Sequence, residues 1–334
     1  MSVRAGVAAV ALCLLAAYAS EASANCGAEG CPLAPPSSEV TRGRFAVDFG
    51  YQYVEANKQW NGNHAISEAD ALAEDGGFGH IVEQLTLTRS FLVNARARLT
   101  NRLVLTGSWP YIERVHQHAL AHHAGYFIPA TWHMQGPGDA TVLANWTVLA
   151  SPERALGALT LQAGAKLPTG QRNVELVEGE QPEPSARPGT GSTDLILGVQ
   201  YLHLFTLHTF RGLETAVPLT ANVGARVNGR GTDEYRMGNE WTANLGSSFA
   251  LMRRVQVLGQ LNFSAHARDE VGNTDAAPHS TGSTALFASP GLRAEFLPGA
   301  AVFGYYQLRV YEHTNGPQLV APYHVSLGIQ YALR

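Results

Sequence analysis

From Arg44 onward the chain alternates apolar and polar residues with a period of two. Phe45, Val47, Phe49, Tyr51 and Tyr53 share one parity, while Ala46, Asp48, Gly50 and Gln52 share the other. Successive side chains of a β-strand point to opposite faces, so the pattern predicts a strand between two different environments. It recurs over Phe91–Leu99, Leu103–Tyr111, Val142–Val148, Leu159–Leu167, Leu195–Tyr201, Val217–Val227, Trp241–Phe249, Val255–Phe263, Leu286–Phe296, Val302–Val310 and Tyr323–Leu333. About twelve strands are therefore expected.

The joins between segments carry a second pattern. Those after the first, third and fifth segments are long, Ala56–His80, Gln117–Pro137 and Gln171–Gly191. Those after the ninth and eleventh are intermediate, Ala267–Gly282 and Glu312–Val320, and the one near Gly229–Glu234 is shorter. The even-numbered joins are tight: Thr100-Asn101, Ser151–Gly157, Leu204–Arg211, Met252–Arg254 and Leu297–Gly299. Short periplasmic turns alternating with longer extracellular loops, on an even number of antiparallel strands, are the signature of a transmembrane β-barrel. The expected fold is all-β, a single barrel over residues 44–334.

In a barrel the apolar parity faces lipid and the polar parity faces the lumen. Tyr51, Trp109, Tyr111, Trp241 and Tyr331 then belong to interfacial girdles. The lumenal parity carries the candidate channel residues Asp48, Arg96, Arg98, Lys166, Asp194, Arg226, Glu240, Arg293, Glu295, Arg309 and His324. Both signs of charge are present, which fits an electrostatic constriction or a salt-bridged plug. Lys166 and Asp194 lie on the same parity of consecutive strands, so they are expected to face each other, either closing the barrel around the Gln171–Gly191 loop or gating a substrate. Arg89 falls on the lipid parity and is expected above the bilayer or at a register-shifting bulge, because a charge at the bilayer midplane costs about 2–4 kcal/mol.

Composition is compatible with this picture and narrows the partners. Hydrophobic residues make up 45% and charged residues 15% of the chain, against about 25% charged in an average soluble domain. The net charge of −4, without a basic stripe interleaved with aromatics, argues against nucleic acid. Lipid and lipopolysaccharide of the outer membrane are the implied surroundings, and no cofactor is implied.

The first residues read as a secretory signal peptide. Arg4 precedes an apolar run from Ala5 to Ala19, shorter than the roughly 20 residues of a spanning helix, and Ala22-Ser23-Ala24 offers an A-x-A cleavage site. Residues 1–24 are assigned to the signal and 25–43 to a periplasmic arm that could receive a periplasmic partner. Cys26 and Cys31 in that arm are expected to form a small disulfide loop in an oxidising compartment. Their spacing departs from CxxC and no further cysteine completes a thiolate metal site. His116, His118, His122, His123 and His133 gather in or beside one external join and are expected in a solvated loop, with a metal site the alternative. The acidic tract Glu175–Glu183 is read likewise as a solvated loop.

Three motifs carry a resemblance. GDATVLANWTVL over Gly138–Leu149, GAKLPTG over Gly164–Gly170 and PGTGSTDLILG over Pro188–Gly198 resemble the family of bacterial outer-membrane barrels named for the meta-pathway of phenol degradation. The resemblance spans Gly138–Gly198 and implies an outer-membrane transporter in a Gram-negative envelope; the wider architecture is similar to fatty-acid and aromatic-hydrocarbon channels. The expected function is passive passage of small apolar or aromatic molecules. Two other classes stay open. One is a structural or partner-docking barrel. The other is an outer-membrane lipid hydrolase, which needs Ser and His together on the lipid face; His324 and Ser326 fall on the lumenal parity, and Ser247 on the lipid parity has no His placed beside it.

Overall fold

The computed structural model describes residues 44–74, 81–121, 127–150, 157–174, 182–208, 214–270, 272–273 and 280–333. The signal peptide, the arm with Cys26 and Cys31, His122 and His123, and Glu175–Gln181 lie outside the described residues.

In chain order the elements are β1 (Phe45–Ala56), β2 (Lys58–Gly62), β3 (His64–Ala65), α1 (Glu68–Glu74), β4 (Ile81–Arg98), β5 (Leu103–Ala121), β6 (Phe127–Pro137), β7 (Ala140–Ala150), β8 (Ala158–Leu167), β9 (Asp194–His208), β10 (Glu214–Val227), β11 (Glu240–Met252), β12 (Val255–His266), β13 (Ser283–Leu297), β14 (Ala300–Val320) and β15 (Tyr323–Leu333). All pairings between named strands are antiparallel. The sheet runs β1, β4, β5, β7, β8, β9, β10, β11, β12, β13, β14, β15, and β15 returns to β1 from Phe45↔Leu333 to Val54↔His324. That last pairing closes a twelve-stranded barrel and leaves no open edge in the wall. Each of the twelve alternating segments lies in a wall strand.

The two faces have inverted polarity relative to a soluble sandwich. Phe49, Trp109, Trp146, Tyr331 and Leu292 are exposed on the outside, each by half or more of its surface. Asn262, Ser289, Gln307 and His324 are at most 1% exposed inside. Aromatic and aliphatic side chains on this scale are stable outward only against lipid. No helix among the described residues is long and apolar enough to cross a membrane; the strands cross it.

The long-loop end differs from the expectation in two places, and Arg89 there matches the first of its two expected settings. The join read as a loop over Gln117–Pro137 is a hairpin: β5 continues to Ala121 and its upper half leaves β7 to pair with β6, from Tyr111↔Pro137 to Ala121↔Phe127. The join over Glu312–Val320 is the upper end of β14, which pairs there with β2 through Val320↔Lys58. Arg89 stays on the outward face with no bulge beside it, opposite Glu113, 4.0 Å away, both partly exposed. The pair lies one step beyond the Tyr51 and Phe91 ring contact along β1 and β4.

Candidate functional site: a layered lumen

Inward-pointing residues group by their distance from the two ends of their strands. The outermost layer centres on Lys166. Its Nζ lies 2.8 Å from Asp194 Oδ2, 3.1 Å from Asp139 Oδ2 and 3.1 Å from Ser192 Oγ, and it also contacts Thr190 Oγ1. Lys166 and Asp194 are register partners on β8 and β9, as parity predicts. Asp139, Thr190 and Ser192 complete the cluster from outside the wall strands. The Asp139 carboxylate also accepts from the backbone amides of Gly170 at 2.9 Å and Thr190 at 3.0 Å, and Asp194 accepts from the Gly229 amide at 3.0 Å. All three charged groups are buried.

The three motifs of the sequence therefore converge on one knot. Gly138, Gly170 and Gly189 meet there, and a Cβ on Gly189 would lie 2.5 Å from the carbonyl carbon of Gly170. Only glycine permits that approach of two loop backbones. Asp139 was visible in the sequence as part of GDAT, yet it precedes β7 and falls outside the alternating pattern that singled out Lys166 and Asp194.

Two more charged groups occupy the same end. Arg226 meets Glu240 at 2.5 Å, and His266 Nε2 lies 3.3 Å from the same carboxylate. The Arg309 guanidinium lies over the Phe287 ring at 5.0 Å, contacts Glu312 and donates to the Ala321 carbonyl. His324 is buried against Phe287, ring centroids 4.7 Å apart. Arg309 and His324 are thus part of a packed interior wall.

The middle layer is uncharged. Asn145 donates to Thr106 Oγ1 at 3.1 Å, Gln162 to Asn145 Oδ1 at 2.8 Å, and Asn222 to Gln162 Oε1 at 2.9 Å. The last bond passes over β9 at Gly198, where a Cβ would lie 2.8 Å from Gln162 Oε1. Across the barrel, Asn262 donates to Asn244 at 2.7 Å, Ser289 to Asn262 at 2.6 Å and Gln260 to Tyr305 OH at 2.9 Å. The innermost layer holds Asp48, which accepts from Asn94 at 2.6 Å and pairs with Arg96 at 3.5 Å. Arg98, Arg293 and Glu295 are half-buried at the same end, and Glu295 accepts from the Gly299 amide at 3.1 Å.

The two sides of the lumen differ in packing. Inward residues of β12 to β15 such as Asn262, Ser264, Gln307 and His324 are sealed, whereas Asn94, Thr106, Asn145, Gln162 and Gln200 on β4 to β9 are only half-buried. Reachable lumenal surface therefore concentrates along the β4 to β9 wall. Apolar residues appear on that wall at lumenal positions: Leu92 opposite Pro110, and Leu143 and Ile196 on either side of Gly164. All four are half-buried. Leu143 and Ile196 form a shelf between Lys166 and the amide layer, whereas Leu92 and Pro110 lie on the long-loop side of the row that carries Lys166, where the Pro110 carbonyl accepts from the Gly138 amide at 2.8 Å.

Two of the histidines depart from the solvated-loop expectation. His116 and His118 point inward from β5 and are buried; Thr86 Oγ1 lies 2.9 Å from His116 Nδ1, and the Trp132 ring meets His118 at 4.4 Å. Next to them Arg114 donates to the carbonyls of Ala186 at 2.6 Å and Ser185 at 3.2 Å, so the loop before β9 lies over this cluster. His133 is exposed on the other face. Among the described residues no group of three His, Cys, Asp or Glu side chains is arranged to hold a metal ion.

No family model and no curated protein matches the chain in sequence. Solved structures match in fold. The COG4313 outer membrane channel from Pseudomonas putida F1 superposes with a TM-score of 0.61 at 15% identity, over 90% of this chain and 99% of that one. The transport unit of the autotransporter AIDA-I from Escherichia coli superposes with a TM-score of 0.52 at 10% identity, over 90% and 93%. At these identities the likeness establishes the fold: this chain is a transmembrane β-barrel of the kind found among outer-membrane proteins.

Proposed function

We propose that the protein is an outer-membrane channel of a Gram-negative envelope that lets small apolar or aromatic molecules pass down their gradient. The observation that carries this reading is the half-buried aliphatic shelf of Leu143 and Ile196 on the lumenal side of the wall, with Leu92 and Pro110 half-buried at lumenal positions nearer the long-loop end. Lumenal positions of a pore for hydrophilic solutes have no reason to be aliphatic, since each such group leaves water unsatisfied. Charges near the shelf are compensated in ion pairs, and the layer beneath offers amides that can meet a single polar substituent. The motif resemblance to the meta-pathway family supports an outer-membrane transporter barrel more strongly than any substrate.

The test is uptake into proteoliposomes. An aromatic solute such as toluene or benzyl alcohol should enter faster through wild type than through a Leu143→Asn, Ile196→Asn variant, while a sugar of similar size should show no such loss. Equal rates for both solutes in both proteins would refute the reading. Two features weigh against a lipid hydrolase: the Ser247 hydroxyl donates to the Pro218 carbonyl at 2.8 Å, and His324 is enclosed in the lumen. The docking-barrel alternative draws on the arm at 25–43, outside the described residues.

A further inference from the structure

Basic residues are distributed unevenly between the two ends of the barrel. At the long-loop end many are matched by acids, Arg187 with Asp233 at 3.3 Å, Arg230 and Arg236 with Glu270 at 2.7 Å each, Arg226 with Glu240 and Lys166 with two aspartates, while Lys58, Arg172 and Arg268 are exposed there with no ion pair among the described residues. At the short-turn end Arg44, Arg102, Arg253 and Arg254 are exposed and make no ion pair among the described residues. Of the acids at that end, Asp48 and Glu295 point inward and are engaged there, and Glu214 begins β10 opposite His208, away from both arginine pairs along the sheet. Two of the 23 basic residues of the chain are lysines, Lys58 and Lys166, so the rim is arginine alone.

These four arginines form two patches on different sides of the rim. Arg44 precedes β1 and its carbonyl accepts from the Arg98 amide at 2.8 Å, which holds it beside the β4 to β5 turn. In that turn the Thr100 hydroxyl accepts from the amides of Arg102 at 3.1 Å and Leu103 at 3.0 Å, fixing where Arg102 leaves the barrel. Arg253 and Arg254 make the two-residue turn between β11 and β12, and the Arg254 carbonyl accepts from the Glu295 amide at 2.8 Å. Each patch therefore projects from a fixed backbone.

Their immediate neighbours are lipid-facing. Leu99 precedes Arg102, Leu251 and Met252 precede Arg253, and Phe45 follows Arg44; all four apolar side chains are exposed. The Arg44 guanidinium lies 5.8 Å from the Phe45 ring centroid. The guanidinium groups thus stand where acyl chains give way to headgroups, rather than on a surface facing the aqueous periplasm. Guanidinium groups bind phosphate oxygens bidentately, and long cationic side chains extend from apolar surface towards such a layer.

We propose that the periplasmic rim is a binding collar for the phosphate headgroups of anionic glycerophospholipids, with one patch at Arg44 and Arg102 and a second at Arg253 and Arg254. Positive charge unmatched by protein carboxylates is matched there by lipid, which fixes the depth of the barrel in the leaflet opposite its long loops.

The test uses the purified full-length protein in a neutral detergent, offered equal amounts of phosphatidylglycerol and phosphatidylethanolamine, with retained lipid counted by native mass spectrometry. Wild type should retain phosphatidylglycerol preferentially, by about one order of magnitude per arginine pair. The preference should collapse near 1 M salt, where the screening length is about 3 Å. The variant Arg44→Gln, Arg102→Gln, Arg253→Gln, Arg254→Gln should lose it while keeping the heat-modifiable gel mobility of a folded barrel, and the corresponding Lys variant should recover it in part. Should the quadruple variant not fold, Arg253→Gln, Arg254→Gln alone should halve the number of lipids retained. Photoreactive phosphatidylglycerol should cross-link to peptides spanning residues 99–103 and 251–255. Equal retention of both lipids by wild type, cross-links to the long loops, or selective capture of an acidic periplasmic protein by the arginines in place of lipid would each overturn the proposal.

Discussion

Replacing Lys166 by Met removes the only cation from a knot that holds two carboxylates, Asp139 and Asp194, at 3.1 and 2.8 Å from its Nζ. The ammonium, both carboxylates and the Ser192 hydroxyl beside them are buried, so water cannot take over its role. Breaking a buried pair by deleting one partner costs about 3–5 kcal/mol, chiefly because the other charge is left uncompensated. Here two charges are left, but backbone amides of Gly170, Thr190 and Gly229 still bond them, so the lower half of that range is expected. The loss should appear locally, because the knot joins the β8 to β9 loop to the barrel. Lys166→Met should lower the unfolding midpoint in detergent and open residues 171–191 to protease, while Asp194→Asn added to it should restore part of the stability. Coupling between two such neighbours is typically about 0.5–3 kcal/mol. If the two substitutions are additive, or the loop stays protected in Lys166→Met, the knot does not hold the loop and the reasoning fails.

Three further outcomes are expected. Epitope tags inserted at 75–80 or 175–181 should bind antibody on intact cells, whereas a tag at 151–156 should bind only after the outer membrane is opened. Glu183 keeps an exposed edge in the loop before β9, and partial burial of its carboxyl, then repulsion from Glu83 and Asp269, pushes it up to about 7. A raised carboxyl means the closed loop holds its proton more tightly than the open one, so loop closure should weaken as pH rises from about 4.5 to about 7; hydrogen-exchange protection factors of residues 182–190, corrected for the intrinsic rise of exchange with pH, should fall over that window in wild type and stay level in Glu183→Gln. Gly189→Ala should cost about 1–3 kcal/mol in unfolding, the usual range for overpacking, because its Cβ would sit 2.5 Å from the Gly170 backbone; Gly259→Ala, which has nothing within 4 Å of the added carbon, should leave the midpoint unchanged.

The wall of this barrel was legible because every strand separates two solvents, lipid outside and a polar lumen inside, and a period of two records that difference directly. Parity alone then placed Lys166 against Asp194 and put Arg96 and Asp48 on the same lumenal face. It failed where one of the solvents changes. Above the bilayer both faces of β5 and β6 meet protein or water, so His116, His118 and Trp132 carry no apolar alternation even though they are an ordered inward face; their mixture of polarity reads as a loop. Parity also fails at β14, where the register with β13 shifts between Leu286 and Phe287. One residue is spent there, and Tyr311 and Glu312 continue the strand in the opposite phase.

The Lys166 knot shows a different limit. A pair on neighbouring strands can be derived from register, but Asp139, Thr190 and Ser192 reach Lys166 only because loop backbones fold back on one another at Gly138, Gly170 and Gly189. That convergence is written in the sequence as glycines at fixed places in three motifs, without any periodicity that a strand model could use. A charged centre assembled this way has its anchor in the wall and its remaining ligands in the loops. Its stability is therefore linked to loop closure: whatever releases the loop exposes the cluster to water, and whatever neutralises the cluster releases the loop.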